Sequence, residues 1–212
     1  MWKSNKKLLN NNDDDSDSED DKNNNGYVRQ HNNRIYFYGD VDTKNILELN
    51  ILINKLNDDE KKYDVIYLHI QSYGGLVHEA LSFADTILSS EIPIYSIIEG
   101  IAASAATIIS IVCDHRFIRP NSVMMIHQLR GGTYGRKSDV DDEYKNLNRL
   151  NDKILKLYKN HSNIPKKDLE QMFSRELEYS PIKCLKYGLV DEIVETKKRK
   201  SSKRKRSKRK RS

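Results

Sequence analysis

The sequence predicts one α/β domain in which helices cover a mainly parallel β-sheet. Along residues 27–196, short apolar runs with strand character alternate with longer segments whose apolar residues recur every three or four positions. Glycine-containing turns follow several of the strand-like runs, where the chemistry of such sheets is expected. These residues number about 170, which is enough for a sizeable core.

The two ends of the chain differ in composition from the middle. Residues 1–26 contain seven acids, an Asn-rich run and almost no apolar side chains, whereas residues 197–212 contain twelve Lys or Arg, four Ser and no acid. Neither segment can bury enough apolar surface to offset its ordering entropy, so we expect two disordered tails. The net charge of +6 does not describe the core. Residues 197–212 carry +12 and residues 1–26 carry −3, so the core carries −3. The core is therefore not predicted to bind nucleic acid.

The first half of the core predicts two strands and two helices. Residues 34–38 favour a strand that ends at the Gly39 turn. Residues 43–56 predict a helix, because their apolar side chains share one face: Ile46, Leu49, Ile53 and Leu56. A largely buried strand is then predicted at 64–70, a turn at 71–75 and a second amphipathic helix at 76–89.

The second half continues this alternation. Residues 94–98 predict a strand, Gly100 a turn, and residues 102–112 a helix of small and apolar residues with Ser104 in its first turn. The remaining predictions are short strands at 117–118 and 123–126, helices at 138–160 and 166–173, a helix from the N-cap Ser180 and Pro181 to Gly188, and a strand at 190–194.

Ser104, His127 and the pair Gly74-Gly75 are the candidate catalytic residues. A serine hydroxyl needs a base within reach, an acid that orients the base, and donors for the developing oxyanion. Ser104 follows a strand and a glycine turn and opens a helix, where free backbone N–H groups favour negative charge. The Gly-x-Ser-x-Gly run of the nucleophile elbow is absent, so the common α/β-hydrolase fold is not indicated.

Each of these residues also has a purely structural interpretation. A serine at a helix start is often only an N-cap, and a glycine pair often forms only a tight turn. His127 follows the apolar Ile126 and could be a core histidine with satisfied hydrogen bonds. No metal-ligand spacing and no Gly-x-x-x-x-Gly-Lys-Ser/Thr run is present, so the sequence predicts no metal, no cofactor and no nucleotide-driven motor.

The core resembles the Clp protease proteolytic subunit family, peptidase family S14, over about residues 34–195. The matching motifs occur in one order along the chain: Arg-Ile-x-Phe-x-Gly at 34–39, Ile-x-Ser-x-Gly-Gly at 70–75, Gly-x-Ala-Ala-Ser at 100–104, Arg-Phe at 116–117, Pro-Asn-Ser at 120–122, Met-Ile-His-Gln at 125–128, Gly-Gly at 131–132 with Gly135, and Tyr-Gly-Leu-Val-Asp at 187–191.

The resemblance implies a crotonase-like α/β fold with a head domain and a helical handle at about 129–160. It implies that Ser104 is the nucleophile, that His127 is the base, and that the backbone N–H groups of Gly75 and Ala105 hold the oxyanion. The implied protein is an ATP-dependent serine endopeptidase subunit that cleaves unfolded polypeptides. It would work inside a homo- or hetero-oligomeric, tetradecamer-like double ring fed by a separate AAA+ unfoldase.

The sequence departs from the family pattern at three places. The family's acid falls by spacing on Glu176, which implies a Ser-His-Glu triad with Glu178 and Asp168 as alternative orienting acids. Tyr73 replaces a proline, which predicts a looser loop at the oxyanion site. The acidic segment 1–26 replaces the family's axial loops, which gate the pore and contact the unfoldase.

Other functions stay open at this point. The chain could be a non-catalytic ring subunit or could carry acyl-CoA chemistry on the crotonase fold, although both Ser104 and His127 are retained. The basic run 197–212 could bind nucleic acid or another polyanion, and it leaves nuclear import possible.

The cysteine contexts and the hydropathy of the chain predict its environment. Cys113 and Cys184 lie in apolar or helical contexts, which predicts buried thiols and a reducing compartment. No apolar run approaches the ~18 residues of a membrane span, and the acidic N-terminal segment is unlike a signal peptide. The sequence thus predicts a soluble intracellular protein, cytoplasmic or organellar, without a membrane partner.

Overall fold

The computed structural model describes residues 27–58 and 63–194 of the chain. The predictions made for the acidic segment 1–26 and the basic segment 197–212 lie outside the described residues.

Within the described residues, strands and helices alternate as the sequence predicts. The strands are β1 (Val28–His31), β2 (Arg34–Tyr38), β3 (Ile66–Ser72), β4 (Ile94–Ala103), β5 (His115–Ile118), β6 (Val123–Met125), β7 (Glu178–Tyr179) and β8 (Glu192–Ile193). The helices are α1 (Thr43–Asp58), α2 (Val77–Ser89), α3 (Ala105–Ile111), α4 (Lys137–His161), α5 (Lys166–Phe173) and α6 (Pro181–Lys186).

The sheet is mainly parallel, with strand order β1-β2-β3-β4-β5-β8. Strands β2 to β5 and β8 run parallel, and β1 forms an antiparallel hairpin with β2. A branch leaves this path where β6 pairs in parallel with the end of β4, and β7 pairs antiparallel with β6. The predicted fold class, an α/β protein with a mainly parallel sheet, is confirmed.

Strand β4 continues farther than the sequence predicts. Its last residues, Ile101 to Ala103, pair in parallel with Val123 to Met125 of β6, which keeps them extended. The helix predicted at 102–112 therefore begins only at Ala105, and Ser104 is its N-cap residue. A run of small apolar residues fits a buried strand as well as a helix, so only the pairing with β6 decides between them.

Helices α1 and α3 pack against the sheet, and α2 packs against both of these helices. Strand side chains alternate between the two faces, and those toward the helices, such as Phe37 and Leu68, are fully buried. Every residue of α3 is buried, because the helix contacts β4, α2 and α4. Tertiary packing of this kind stabilises a helix too short to form alone, and it fixes the position of Ser104 at its start.

A network of polar side chains lies on the other face of the sheet. His69 is only 3 % exposed; its Nε2 accepts from Arg34 Nη1 at 3.0 Å, and its Nδ1 donates to Glu99 Oε1 at 3.1 Å. Glu99 Oε1 also accepts from Arg119 Nη2 at 2.8 Å, and its Oε2 accepts from the Tyr38 hydroxyl. These partners fit a neutral His69 with its proton on Nδ1.

The long helix α4 leaves most of its surface uncovered. Its buried residues, Ile154 and Tyr158, are in the C-terminal half, whereas Val140 and Tyr144 of the N-terminal half are exposed. The helix is one residue longer at each end than predicted. No helix among the described residues combines the length and apolar character needed to cross a membrane.

Candidate active site

Ser104 lies on a sharp turn between β4 and α3. Its φ of 53° and ψ of −125° fall in a region that residues with a Cβ rarely adopt, at a cost of about 1–3 kcal/mol. The turn is held because Ser104 N–H donates to the Met125 carbonyl at 2.8 Å, and the Thr107 hydroxyl donates to the Ser104 carbonyl at 2.6 Å. The side chain makes no capping hydrogen bond. Ser104 therefore stands at the helix start without acting as a side-chain cap.

This turn has the shape of a nucleophile elbow although the Gly-x-Ser-x-Gly run is absent. Ala102 and Ala106 stand at the positions of the two glycines in that run, and both are fully buried and supply the small size that glycines give there. A serine on a strained strand-to-helix turn presents its Oγ outward, away from the sheet. In this structure Ser104 is half-buried and borders an open cavity.

The Gly74-Gly75 pair lies directly against Ser104. A Cβ at Gly74 would be 2.7 Å from Ser104 Cβ and from the Ala103 carbonyl oxygen, and both glycines have positive φ, 98° and 150°. The loop is fixed by Val41, whose N–H donates to the Gly74 carbonyl at 2.8 Å and whose carbonyl accepts from Leu76 N–H at 2.7 Å. Neither of these two bonds uses the N–H of Gly75, and together they constrain the loop despite Tyr73 in place of proline.

His127 follows strand β6 and is half-buried beside the fully buried Ile126. The next residue anchors the segment, because Gln128 N–H donates to the Phe173 carbonyl at 2.8 Å. Burial lowers the pKa of His127 below its usual value, and the positive charge of Arg130 adds to the effect. The imidazole is therefore neutral at pH 7 and can accept a proton.

Glu176 lies in the loop between α5 and β7. Strand β7 pairs antiparallel with β6, with Met125 opposite Glu178. If the register continued by two residues, His127 would face Glu176. The carboxylate of Glu176 instead forms an ion pair with Arg130, and both side chains are largely exposed. Among the described residues no hydrogen bond joins His127 to Glu176 or to Ser104 Oγ.

One cavity of about 360 Å³ collects the residues that the sequence singles out. Its lining includes Gly75, Ser104, Ala105, His127 and Glu176. Apolar and aromatic side chains make most of the remaining wall: Tyr73, Val77, Ile108, Met125, Leu129, Ile154 and Tyr158.

The alternative acids lie outside this cavity lining. Glu178 is an exposed residue of β7, and Asp168 accepts a hydrogen bond from the Tyr187 hydroxyl at 3.1 Å. Of the three candidate carboxylates, only Glu176 lines the cavity together with His127. The described residues contain no group of three or more His, Cys, Asp or Glu placed to hold a metal ion.

Arg130 is a residue of the site that the sequence motifs do not reveal. It stands three residues after His127 and lines the same cavity. A cation so close to a candidate base was visible in the sequence, but its pairing with Glu176 depends on the meeting of two segments that are far apart along the chain. Tyr158 was missed as a lining residue for the same reason, since it comes from the C-terminal half of α4.

Comparison with known proteins identifies the family of the chain. The model of the Clp protease family matches residues 18–197, most of the chain. The chain belongs to the Clp protease family. A relative from Deinococcus radiodurans, the ATP-dependent Clp protease proteolytic subunit, is 29% identical over 171 residues, which cover 80% of this chain and 84% of that protein. Family membership supports a Clp-type peptidase, and it confirms the resemblance inferred from the motifs.

Proposed function

We propose that the protein is an active serine endopeptidase subunit of the Clp type, with Ser104 as nucleophile and His127 as base. The observation that carries the proposal is the shared cavity, which brings a serine on a strained turn, a neutral histidine and two backbone donors to one opening. A serine hydroxyl and an adjacent neutral imidazole are the pair that acyl transfer requires.

The proposed reaction proceeds through an acyl-enzyme. His127 removes the proton of Ser104 Oγ as that oxygen attacks the peptide carbonyl, and the N–H groups of Gly75 and Ala105 bind the resulting oxyanion. His127 then gives the proton to the leaving amine, and the peptide C–N bond breaks. A water attacks the ester with His127 again as base, which releases the acid product and restores Ser104.

Glu176 is the proposed acid of the triad. It would accept the Nδ1 proton of His127 and stabilise the imidazolium that forms in each step. The support is the antiparallel register of β6 and β7 and the place of Glu176 in the lining of the cavity. This role requires Glu176 to leave Arg130, its partner in the isolated chain.

The proposed substrates are unfolded polypeptides, and the proposed working form is a ring-shaped oligomer with an AAA+ unfoldase. The support is family membership together with the name of the Deinococcus radiodurans relative, an ATP-dependent proteolytic subunit. The exposed apolar residues Val140 and Tyr144 of α4 also favour a partner for the helix, because such residues are covered in assembled proteins.

Peptide hydrolysis by matched serine variants tests the proposal. The variant Ser104→Ala should lose cleavage of short fluorogenic peptides while keeping its circular dichroism spectrum, because only one oxygen is removed. The control Ser82→Ala removes a hydroxyl from an exposed position of α2 and should leave the rate unchanged. A wild-type protein that assembles but cleaves nothing would instead favour a non-catalytic ring subunit. The observation that favours this alternative is that no hydrogen bond joins Ser104 Oγ to His127 among the described residues.

A second, separate proposal concerns the basic segment 197–212. Its twelve cations should bind polyanions such as RNA or DNA by releasing counterions, with affinity that falls steeply with salt. Deletion of these residues should abolish binding and spare peptide hydrolysis, measured by electrophoretic mobility shift and by turnover. Unchanged RNA affinity after the deletion would assign the binding to the core.

A further inference from the structure

We propose that Arg130 is a positioning residue whose ion pair with Glu176 acts as a latch, holding the carboxylate away from His127 in the isolated chain. The inference rests on the proposed function, because it concerns how the acid of that same site becomes available. An active state would require Glu176 to exchange Arg130 for the imidazole.

The main chain fixes Glu176 beside His127 on both sides. Before Glu176, the carbonyl of Phe173 accepts the N–H of Gln128 at 2.8 Å. After it, Glu178 pairs with Met125 across the two antiparallel strands. Because the loop is tied at both ends, its backbone needs no large movement. The choice of partner for Glu176 is therefore mainly a matter of side-chain rotation.

Arg130 is placed to compete for this carboxylate. It follows His127 by three residues and lines the 360 Å³ cavity together with His127 and Glu176. The same three residues also line a smaller adjoining cavity of about 240 Å³. Arg130 is 71% exposed and Glu176 53% exposed, so their ion pair is weakened by solvent and salt. Such a pair can hold a side chain in place and still be exchanged readily.

The state of the latch should determine the pKa of His127. While the latch is closed, burial and then the charge of Arg130 lower this pKa. When it opens, the carboxylate of Glu176 would approach the imidazole and raise the pKa. The other ionisable side chains that line these two cavities are Arg175 in the smaller one and Tyr73 and Tyr158 in the larger one. None of these is a carboxylate.

Charge-removal variants of the full chain test the latch. At pH values above the acid limb of the pH profile, Arg130→Gln should raise peptide turnover by about twofold to fivefold. This is the change in rate that loss of a weak ion pair allows. The same variant should also move that acid limb to higher pH. Arg130→Lys should stay near the wild-type rate, because it keeps the charge. Arg149→Gln, an exposed arginine of α4 beside a different groove, is the matched control and should change neither quantity.

A double-mutant cycle separates the latch from a direct effect of Arg130 on the imidazole. In a Glu176→Gln background, Arg130→Gln should give no gain in turnover, because there is no carboxylate to release. The His127 pKa, followed by NMR of ¹³C-labelled imidazole and assigned with His127→Gln, should rise more on Arg130→Gln when Glu176 is present than when it is absent.

The latch is overturned if Arg130→Gln leaves both turnover and the His127 pKa at wild-type values, or if its effects are equally large without Glu176. A wild-type protein with no turnover would defeat the proposed peptidase function but not this inference. In that case the His127 pKa cycle still decides for or against the latch.

Discussion

Ser104 and its contacts with Gly74 show how closely the candidate site is built around individual residues. A methyl group at Gly74 would lie 2.7 Å from Ser104 Cβ, and the φ of 98° at Gly74 is a conformation that few other residues adopt. The neighbouring position Gly75 has no room either, because a Cβ there would be 2.3 Å from the Val41 carbonyl oxygen. Neither the positive φ of Ser104 nor these distances could be predicted from the sequence, which showed only a glycine pair and a serine.

Gly74→Ala should therefore damage the site, whereas Gly132→Ala should not. The first substitution combines a close contact with backbone strain of about 1–3 kcal/mol, and it should cut peptide turnover strongly and lower the melting temperature. A Cβ at Gly132 meets nothing within 4 Å, so that variant controls for the change from glycine to alanine. Equal turnover of the two variants would show that the contact between Gly74 and Ser104 does not matter for activity.

At the scale of elements, the apolar periodicity of the sequence predicts some strands and helices. Other elements form only because their residues pair with another strand. The parallel strands β2 and β3 and helices α1, α2 and α4 have clear periodicity and were predicted within two residues at each end, whereas β4 continues five residues beyond its predicted end. Strands β1 and β7 were missed, because four and two residues carry too little periodicity to be recognised. Strand β7 matters for the candidate site, since its pairing with β6 brings Glu176 toward His127.

The network around His69 predicts a pH dependence of stability. Burial lowers the pKa of His69, while Glu99 raises it and Arg34 lowers it, with a net decrease. As the pH falls through about 6.5, the unfolded chain takes up a proton that the folded His69 does not, so the free energy of unfolding should decrease. Hydrogen bonds from Tyr38, Arg119 and His69 outweigh burial and lower the pKa of Glu99. The contribution of ionised Glu99 to the free energy of unfolding should therefore be lost only at lower pH.

Urea unfolding at pH 7.5 and at pH 5.5 measures this effect. The loss of stability between these two pH values should be smaller in His69→Gln than in the wild-type protein. His78→Gln removes an exposed histidine of α2 and should behave as the wild type. The same loss in His69→Gln and wild type would mean that the network is not the source of the pH dependence.

For the whole molecule, the sequence predicted the fold class and the order of the motifs but not the coverage of α4. Its spacing of apolar residues predicted a long amphipathic helix, yet only Ile154 and Tyr158 are buried within one chain. A partner surface cannot be inferred from helical periodicity alone, because buried and interface residues follow the same spacing. The exposed Val140 and Tyr144 fit the proposal that assembly covers this end of the helix.

Tyr144→Asp should weaken assembly and, with it, peptide turnover, because a charge would replace an apolar contact in a covered interface. Light scattering of the variant should show smaller particles than the wild type at the same concentration. Asn146→Asp adds a charge to an exposed position on another side of α4 and serves as the control. An active wild-type monomer would contradict the assembly proposal outright.

The measurement that tests the central claim most directly is covalent labelling of Ser104 by a fluorophosphonate probe, followed by intact mass and peptide mapping. The account predicts one probe per chain, located on Ser104, with no labelling of Ser104→Ala or of heat-unfolded protein. It also predicts that labelling slows as the pH falls through the pKa of His127, because the base becomes protonated. Folded, assembled protein that takes up no probe, or takes it up at another serine, would contradict Ser104 as the nucleophile.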